Sequence, residues 1–173
     1  GARSAMEDGD EGTAEGLFQQ AAAAAEAGIA ADPRNPLAWR LAGEALMGLG
    51  EYQEADSLLS EAERLRPVYA IEMDIMRENT WVELYQEAAP MVNAGQYREA
   101  LPLFEGANHM YKDRPEVMIM LGQLYNNDGR YDEAVTNLRM GLEIIQGPRI
   151  EEMDSTTAAA WRGQEQQLPL LIA

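Results

Sequence analysis

Gly50-Glu51-Tyr52-Gln53-Glu54-Ala55 returns as Gly95-Gln96-Tyr97-Arg98-Glu99-Ala100 and as Gly129-Arg130-Tyr131-Asp132-Glu133-Ala134, and a weaker form, Gly16-Leu17-Phe18-Gln19-Gln20-Ala21, precedes them. The four starts are separated by 34, 45 and 34 residues. A period of 34 belongs to solenoids whose unit is a helix, a turn and a second helix. Such an array offers an extended surface, so the chain is expected to bind rather than to catalyse.

Each residue of the phrase has a mechanical task. Glycine takes the left-handed conformation that ends one helix and lets the chain reverse. The aromatic ring two residues later is expected to fill the wedge between the two helices. Glu54, Glu99 and Glu133 fall in the first turn of the second helix, where a negative charge meets the positive end of the macrodipole. Ala55, Ala100 and Ala134 are small enough to let two backbones cross closely. Seven residues before each turn glycine stands Gly43, Ala88 or Gly122, which relieves the same crossing from the other side.

These residues resemble the tetratricopeptide repeat family. The fullest copy spans 36–69, with Trp39, Gly43, Gly50, Tyr52, Ala55, Ala62 and Pro67 at the family's positions. The copy at 115–148 keeps Gly122, Tyr125, Gly129, Tyr131 and Ala134 but has Gly141 for the last alanine. The copy at 81–114 keeps Gly95, Tyr97, Ala100, Phe104 and Ala107 but has Ala88 for glycine and Lys112 for proline. The resemblance implies an all-α, right-handed α-solenoid of antiparallel helix pairs. Residues 1–12 are expected to be an acidic, poorly ordered start, 13–35 a half repeat, 70–80 a helical insertion, and 149–173 a degenerate C-terminal helical segment.

The insertion breaks the period. Eleven extra residues, without Gly or Pro, lie between the repeat ending at Tyr69 and the one starting at Trp81. Eleven residues are close to three helical turns, so an insertion of that length preserves the facing of a helix. The first helix of the middle repeat is therefore expected to be elongated, running over about 69–93 with Pro90 near its end. The competing reading is a fresh helix capped by Thr80 and Glu83, which have capping-box spacing. The other helices are expected near 14–31, 36–48, 52–65, 97–110, 116–127 and 131–145.

Thirty acidic residues against 13 basic give a formal charge of −17. Nucleic acid is excluded as a partner, because phosphate contacts need a basic patch. Only Lys112 is a lysine; the other 12 basic residues are Arg. That skew fits a GC-rich or salt-adapted genome, so the acidity has two readings: surface solvation, and steering of a cationic ligand. The absence of cysteine removes disulfides, thiolate zinc sites and thiol catalysis. No apolar run reaches the roughly 20 residues needed to span a bilayer, so any membrane association would be peripheral. The first residue is Gly1, consistent with a matured chain, and an exported bacterial protein is preferred to a cytoplasmic one. The apolar end over 168–173 suggests further chain or a docked partner.

No cofactor is expected, nor a metal. His109 and Glu105 lie four apart on one helix, but no second cluster of matching spacing completes a metal site. The serines lack a neighbouring base, and no glycine-rich phosphate loop exists. In the family, ligands lie in the concave groove lined by the first helix of each repeat. Carried over, that face offers Leu37, Arg40, Glu44 and Met47; Val82, Tyr85, Gln86, Ala89, Val92 and Asn93; and Glu116, Ile119, Met120, Gln123, Asn126 and Asn127. Glu44, Glu116 and Met120 stand where a clamp for a C-terminal carboxylate would need Asn, Lys and Arg. The implied ligand is instead an amphipathic or extended protein segment, or a neighbouring subunit. Some of these side chains are alternatively expected to pack against the chain's own ends. The functional expectation is a non-catalytic scaffold or peripheral subunit of a multiprotein complex. A recruiting segment of a larger enzyme and a chaperone-like adaptor for peptide tails are the other readings.

Overall fold

In the computed structural model of the chain, Gly50, Gly95 and Gly129 have φ of 80°, 78° and 77°, a region that L side chains avoid. Each turn closes with the same pair of bonds. The Gly50 N–H donates to the Met47 carbonyl at 3.1 Å, and the Glu51 N–H to the Leu46 carbonyl at 3.0 Å. Gly95 and Gln96 repeat this with Val92 and Met91, and Gly129 and Arg130 with Asn126 and Tyr125. This is the Schellman closure, which satisfies the last carbonyls of one helix while turning the chain into the next.

The structure describes residues 11–168 and Leu171. These form α1 (Glu11–Ala31), α2 (Pro36–Gly48), α3 (Tyr52–Leu65), a 3-10 turn (Pro67–Tyr69), α4 (Ala70–Asn93), α5 (Tyr97–Met110), α6 (Pro115–Asn127), α7 (Tyr131–Gln146), α8 (Arg149–Glu152) and α9 (Ser155–Glu165). Among the described residues there is no strand, and the class is all-α, of the helix-pair solenoid type. The elongated helix is present as α4, unbroken through Thr80, so the capping-box reading at Thr80 and Glu83 is not realised. The hydroxyl of Thr80 instead donates back to the Met76 carbonyl at 3.0 Å, inside the helix. Of the acidic start expected over 1–12, residues 1–10 lie outside the described residues, and Gly12 already belongs to α1.

The chain forms two compact units, one up to Thr80 and one from Trp81. In the first, α2 crosses α3 with no room to spare: a β-carbon on Gly43 would lie 2.8 Å from Leu59 Cγ and 3.1 Å from the Ala55 carbonyl oxygen. In the second, α6 crosses α7 in the same manner, and a β-carbon on Gly122 would lie 2.5 Å from Leu138 Cγ and 3.2 Å from the Ala134 carbonyl oxygen. Ala55, Ala100 and Ala134 are buried, as is Ala88. The small residues therefore do set the close approach of the helices.

The aromatic of the phrase behaves differently from expectation. Trp39, Tyr52, Tyr97, Tyr125 and Tyr131 are all read from the repeat spacing as core, but Tyr97 and Tyr131 are exposed. Each is the first residue of its helix, and neither ring is buried in a crossing. Tyr125 is buried, and Phe18 does act as a wedge, its ring standing where a β-carbon on Gly48 would go, at 2.4 Å.

The second unit ends on a helix that carries none of the repeat phrase. Asp154 caps α9 by accepting from the Thr156 and Thr157 amides at 2.9 and 3.1 Å. Trp161 and Leu168 then enter a core cluster with Ile119, Leu138 and Ile145.

Candidate partner-binding grooves

In the first unit α1 presents Ala21, Ala24, Ala25 and Gly28, spaced three and four apart on one face. Side chains this small leave a trough where α1 meets α2. Across it lie Ala38 and Ala45, also small, while Leu17, Phe18, Leu37 and Leu41 rise as walls. The result is an open groove of about 760 Å³. Leu37 and Leu41 are each 46% exposed, so two large aliphatic side chains stand on the rim facing solvent. Among the described residues Glu44 is the one charged residue lining the groove, and it is held by Arg40, whose Nε donates to its carboxylate at 2.7 Å.

Arg40 is more tightly engaged than its place on a ligand-facing helix suggests. It also reaches Glu72 at 2.8 Å and lies 5.7 Å from the Tyr69 ring centroid. Burial alone would lower its affinity for a proton, but Glu44 and Glu72 outweigh that and raise its pKa. Met47, also expected on this face, is half-buried and does not line the groove.

In the second unit the face is built from other contacts. Tyr85 stacks on Trp81 with centroids 5.1 Å apart and planes 9° from parallel. It meets Phe104 edge-on at 5.9 Å, and Arg114 covers the other ring at 4.6 Å from the Trp81 centroid. Burial, with help from Glu116, pushes the Tyr85 hydroxyl up from its ordinary range, and Arg114 opposes this. Part of Tyr85 is thus committed to packing. Val82 and Val92 are half-buried, while Gln86, Gln123 and Asn126 are exposed.

Ile119 is not available. It is 7% exposed, covered by Trp161 and Leu168 of the chain itself. Trp161 Nε1 donates to Glu116 Oε1 at 3.0 Å, so α9 takes the place on α6 that the sequence reading assigns to a ligand. The alternative expectation, packing against the chain's own end, describes Ile119 and Glu116. Met120, Gln123 and Asn126 remain at least partly accessible on the same helix.

The walls and floor supplied by α1 are absent from the sequence reading of the site. The signal was present in the four small residues at helical spacing, but small residues read alone signify only a close crossing. Elsewhere, Glu105 accepts from the buried Tyr125 hydroxyl at 2.7 Å. Burial first, and then this carboxylate, push that hydroxyl well above its usual range. Glu105 is therefore engaged with Tyr125 as well as standing four residues from His109. Among the described residues no group of three or more His, Cys, Asp and Glu is placed to hold a metal. No described helix is long and apolar enough to cross a membrane.

Solved structures that resemble the chain include the MamA RS-1 ArsTM double mutant and MamA 41-end from Desulfovibrio magneticus RS-1. Each is 18% identical, with 97% of this chain and 90% of that chain covered, at a TM-score of 0.36. A likeness at that level bears on neither partner nor function. No curated protein matches the chain. The tetratricopeptide repeat pattern, in contrast, matches residues 13–70 and 91–153, which is well over half of the sequence. Those stretches hold the three glycine turns and the crossings at Gly43 and Gly122, and the chain belongs to the tetratricopeptide repeat family, whose fold serves as a protein–protein interaction scaffold.

Proposed function

We propose that the chain is a non-catalytic scaffold, a peripheral subunit that holds proteins together, and that its first unit takes an apolar protein segment in the groove between α1 and α2. The observation that carries this reading is the exposure of Leu37 and Leu41 above an alanine-lined floor. Large aliphatic side chains beside an open groove lose free energy to water, about 25 cal/mol per Å² of apolar surface. A partner that supplies large side chains to a floor of small ones recovers it. The single charged residue of the lining favours a segment whose buried face is uncharged.

The reading is tested by purifying the chain with its partners after cross-linking in the cells that make it, alongside a Leu37→Glu/Leu41→Glu variant. Both positions are on the surface, so the variant is expected to keep its helix content by circular dichroism. It should lose the partner that the wild type retains. A folded variant that recovers the same partner in the same amount would remove the groove from the account. Tyr85→Glu in the second unit serves as the parallel test for α4, with unchanged recovery counting against a role for that helix.

A further inference from the structure

Gly16 opens the first copy of the recurring phrase but makes no turn. It lies inside α1, and the left-handed glycines are Gly50, Gly95 and Gly129. Among the described residues no helix therefore precedes α1 as α2 precedes α3. The consequence appears at positions 34 residues apart. On α3, Ala55, Leu59 and Ala62 are fully buried, and α2 lies over the first two at Gly43. Their counterparts on α1 are Ala21, Ala25 and Gly28, and all three line the open groove. Ala25 is buried in its floor, while Gly28 is half-buried and Ala21 exposed. The surface that α2 covers on α3 is thus left open on α1. It is continuous with the interface between α1 and α2, since a β-carbon on Gly28 would stand 3.3 Å from Ala38 Cβ.

Two features select what fits there. The walls are helices, whose backbone groups are bonded internally, and the polar side chains of the lining are Asn35 and Glu44. The Asn35 side-chain oxygen already accepts from the Leu37 amide, and Glu44 is held by Arg40. An extended segment would bury a row of its own N–H and C=O groups against apolar walls, whereas a helix pairs them within itself. Size is the second feature. Leu59 fills the crossing with Gly43, but Ala25 stands in its place on α1, so the large side chains must come from the occupant. We propose that the groove is the slot of a repeat helix, filled by an α-helix of another protein that lies on α1 as α2 lies on α3, with an uncharged face of Leu-sized side chains toward Ala21 and Ala25. This rests on the assignment of the groove to a protein partner and adds the form and side-chain chemistry of that partner. The floor from Leu17 to Gly28 runs for about 16 Å, or about three helical turns. The chain's own start is a poor occupant by sequence: the position of Ala42, buried on α2, falls on Asp8, with Glu7 and Asp10 beside it. A second copy would bring one charge of −17 against another.

The test uses the full chain and uncharged fluorescent peptides of about four helical turns, read by anisotropy. One carries leucines three and four apart among Ala and Gln; a second has the same composition with leucines at alternate positions; a third is the first with a central proline. The first should bind about tenfold tighter than either of the others. Ala21→Leu/Ala24→Leu fills the trough at two exposed positions. It should keep the wild-type melting temperature and lose about tenfold in affinity for the first peptide. Equal or tighter binding of the alternating or proline peptide would mean an extended occupant and overturn the proposal. So would unchanged binding by the filled variant, or a dimer of the wild type that this variant fails to form, which would give the slot to a second copy. If the helical peptide fails while Leu37→Glu/Leu41→Glu still sheds its native partner, the occupant is not such a helix and the scaffold reading stands. If that variant keeps its native partner, both readings fall.

Discussion

Replacing Gly122 by alanine puts the geometry of the helix crossing to a quantitative test. The added β-carbon would stand 2.5 Å from Leu138 Cγ, 2.6 Å from its Cδ2 and 3.2 Å from the Ala134 carbonyl oxygen. Cγ is not a flexible tip, and the carbonyl belongs to the first turn of α7, so α6 and α7 must move apart. Overpacking of this kind costs about 1–3 kcal/mol, while alanine in place of glycine within a helix returns about 1 kcal/mol. Contacts as short as 2.5 Å to a branching carbon put the overpacking cost in the upper part of that range, about 2–3 kcal/mol, for a net loss of about 1–2 kcal/mol. Gly43→Ala meets Leu59 at the longer distance of 2.8 Å and should cost less, about 0.5–1 kcal/mol. Gly163→Ala is the internal control. Nothing lies within 4 Å of its β-carbon position, so only the helical preference acts and stability should rise by up to about 1 kcal/mol. Urea unfolding followed by circular dichroism orders the three. A Gly122→Ala protein as stable as the wild type, or three substitutions with the same effect, would refute the close-crossing argument.

Trp161→Ala removes a fully buried ring and the bond to Glu116, a change worth about 3–5 kcal/mol in a core. Amide exchange along α6 should then quicken around Ile119, and unchanged exchange would mean that α9 does not cover it. Arg77→Met leaves Asp56 and Glu63 without their shared cation and should cost about 1–3 kcal/mol, seen as a lower melting temperature that is restored in part by Asp56→Asn with Glu63→Gln. Hydrogen bonds from Thr157 hold the Asp154 carboxyl below its ordinary range. Because the folded value is depressed, its contribution is complete above the unfolded pKa and fades as pH falls through the folded one. Acidification below about pH 4 should therefore loosen α9, followed by Trp161 fluorescence; the same loosening in Asp154→Asn would contradict that assignment.

The repeat was legible because its turns demand a backbone that only glycine takes easily, and its crossings demand small residues at fixed offsets. Gly50, Gly95 and Gly129 announce themselves for that reason. The site was less legible. Leu37 was named by carrying the family's groove positions over to α2, and it stands 46% exposed there. Ile119 was named in the same way, yet it is closed by Trp161, which follows no repeat phrase and so gives no sequence signal of docking. The α1 wall was missed because Ala21, Ala24, Ala25 and Gly28 look alike whether another helix covers them or solvent does.

The central claim is that the trough between α1 and α2 holds a protein partner. Hydrogen exchange of the chain in its native complex, compared with the chain alone, tests it most directly. The account predicts new protection over residues 17–28 and 37–45; a complex in which those residues exchange as fast as in the isolated chain contradicts it.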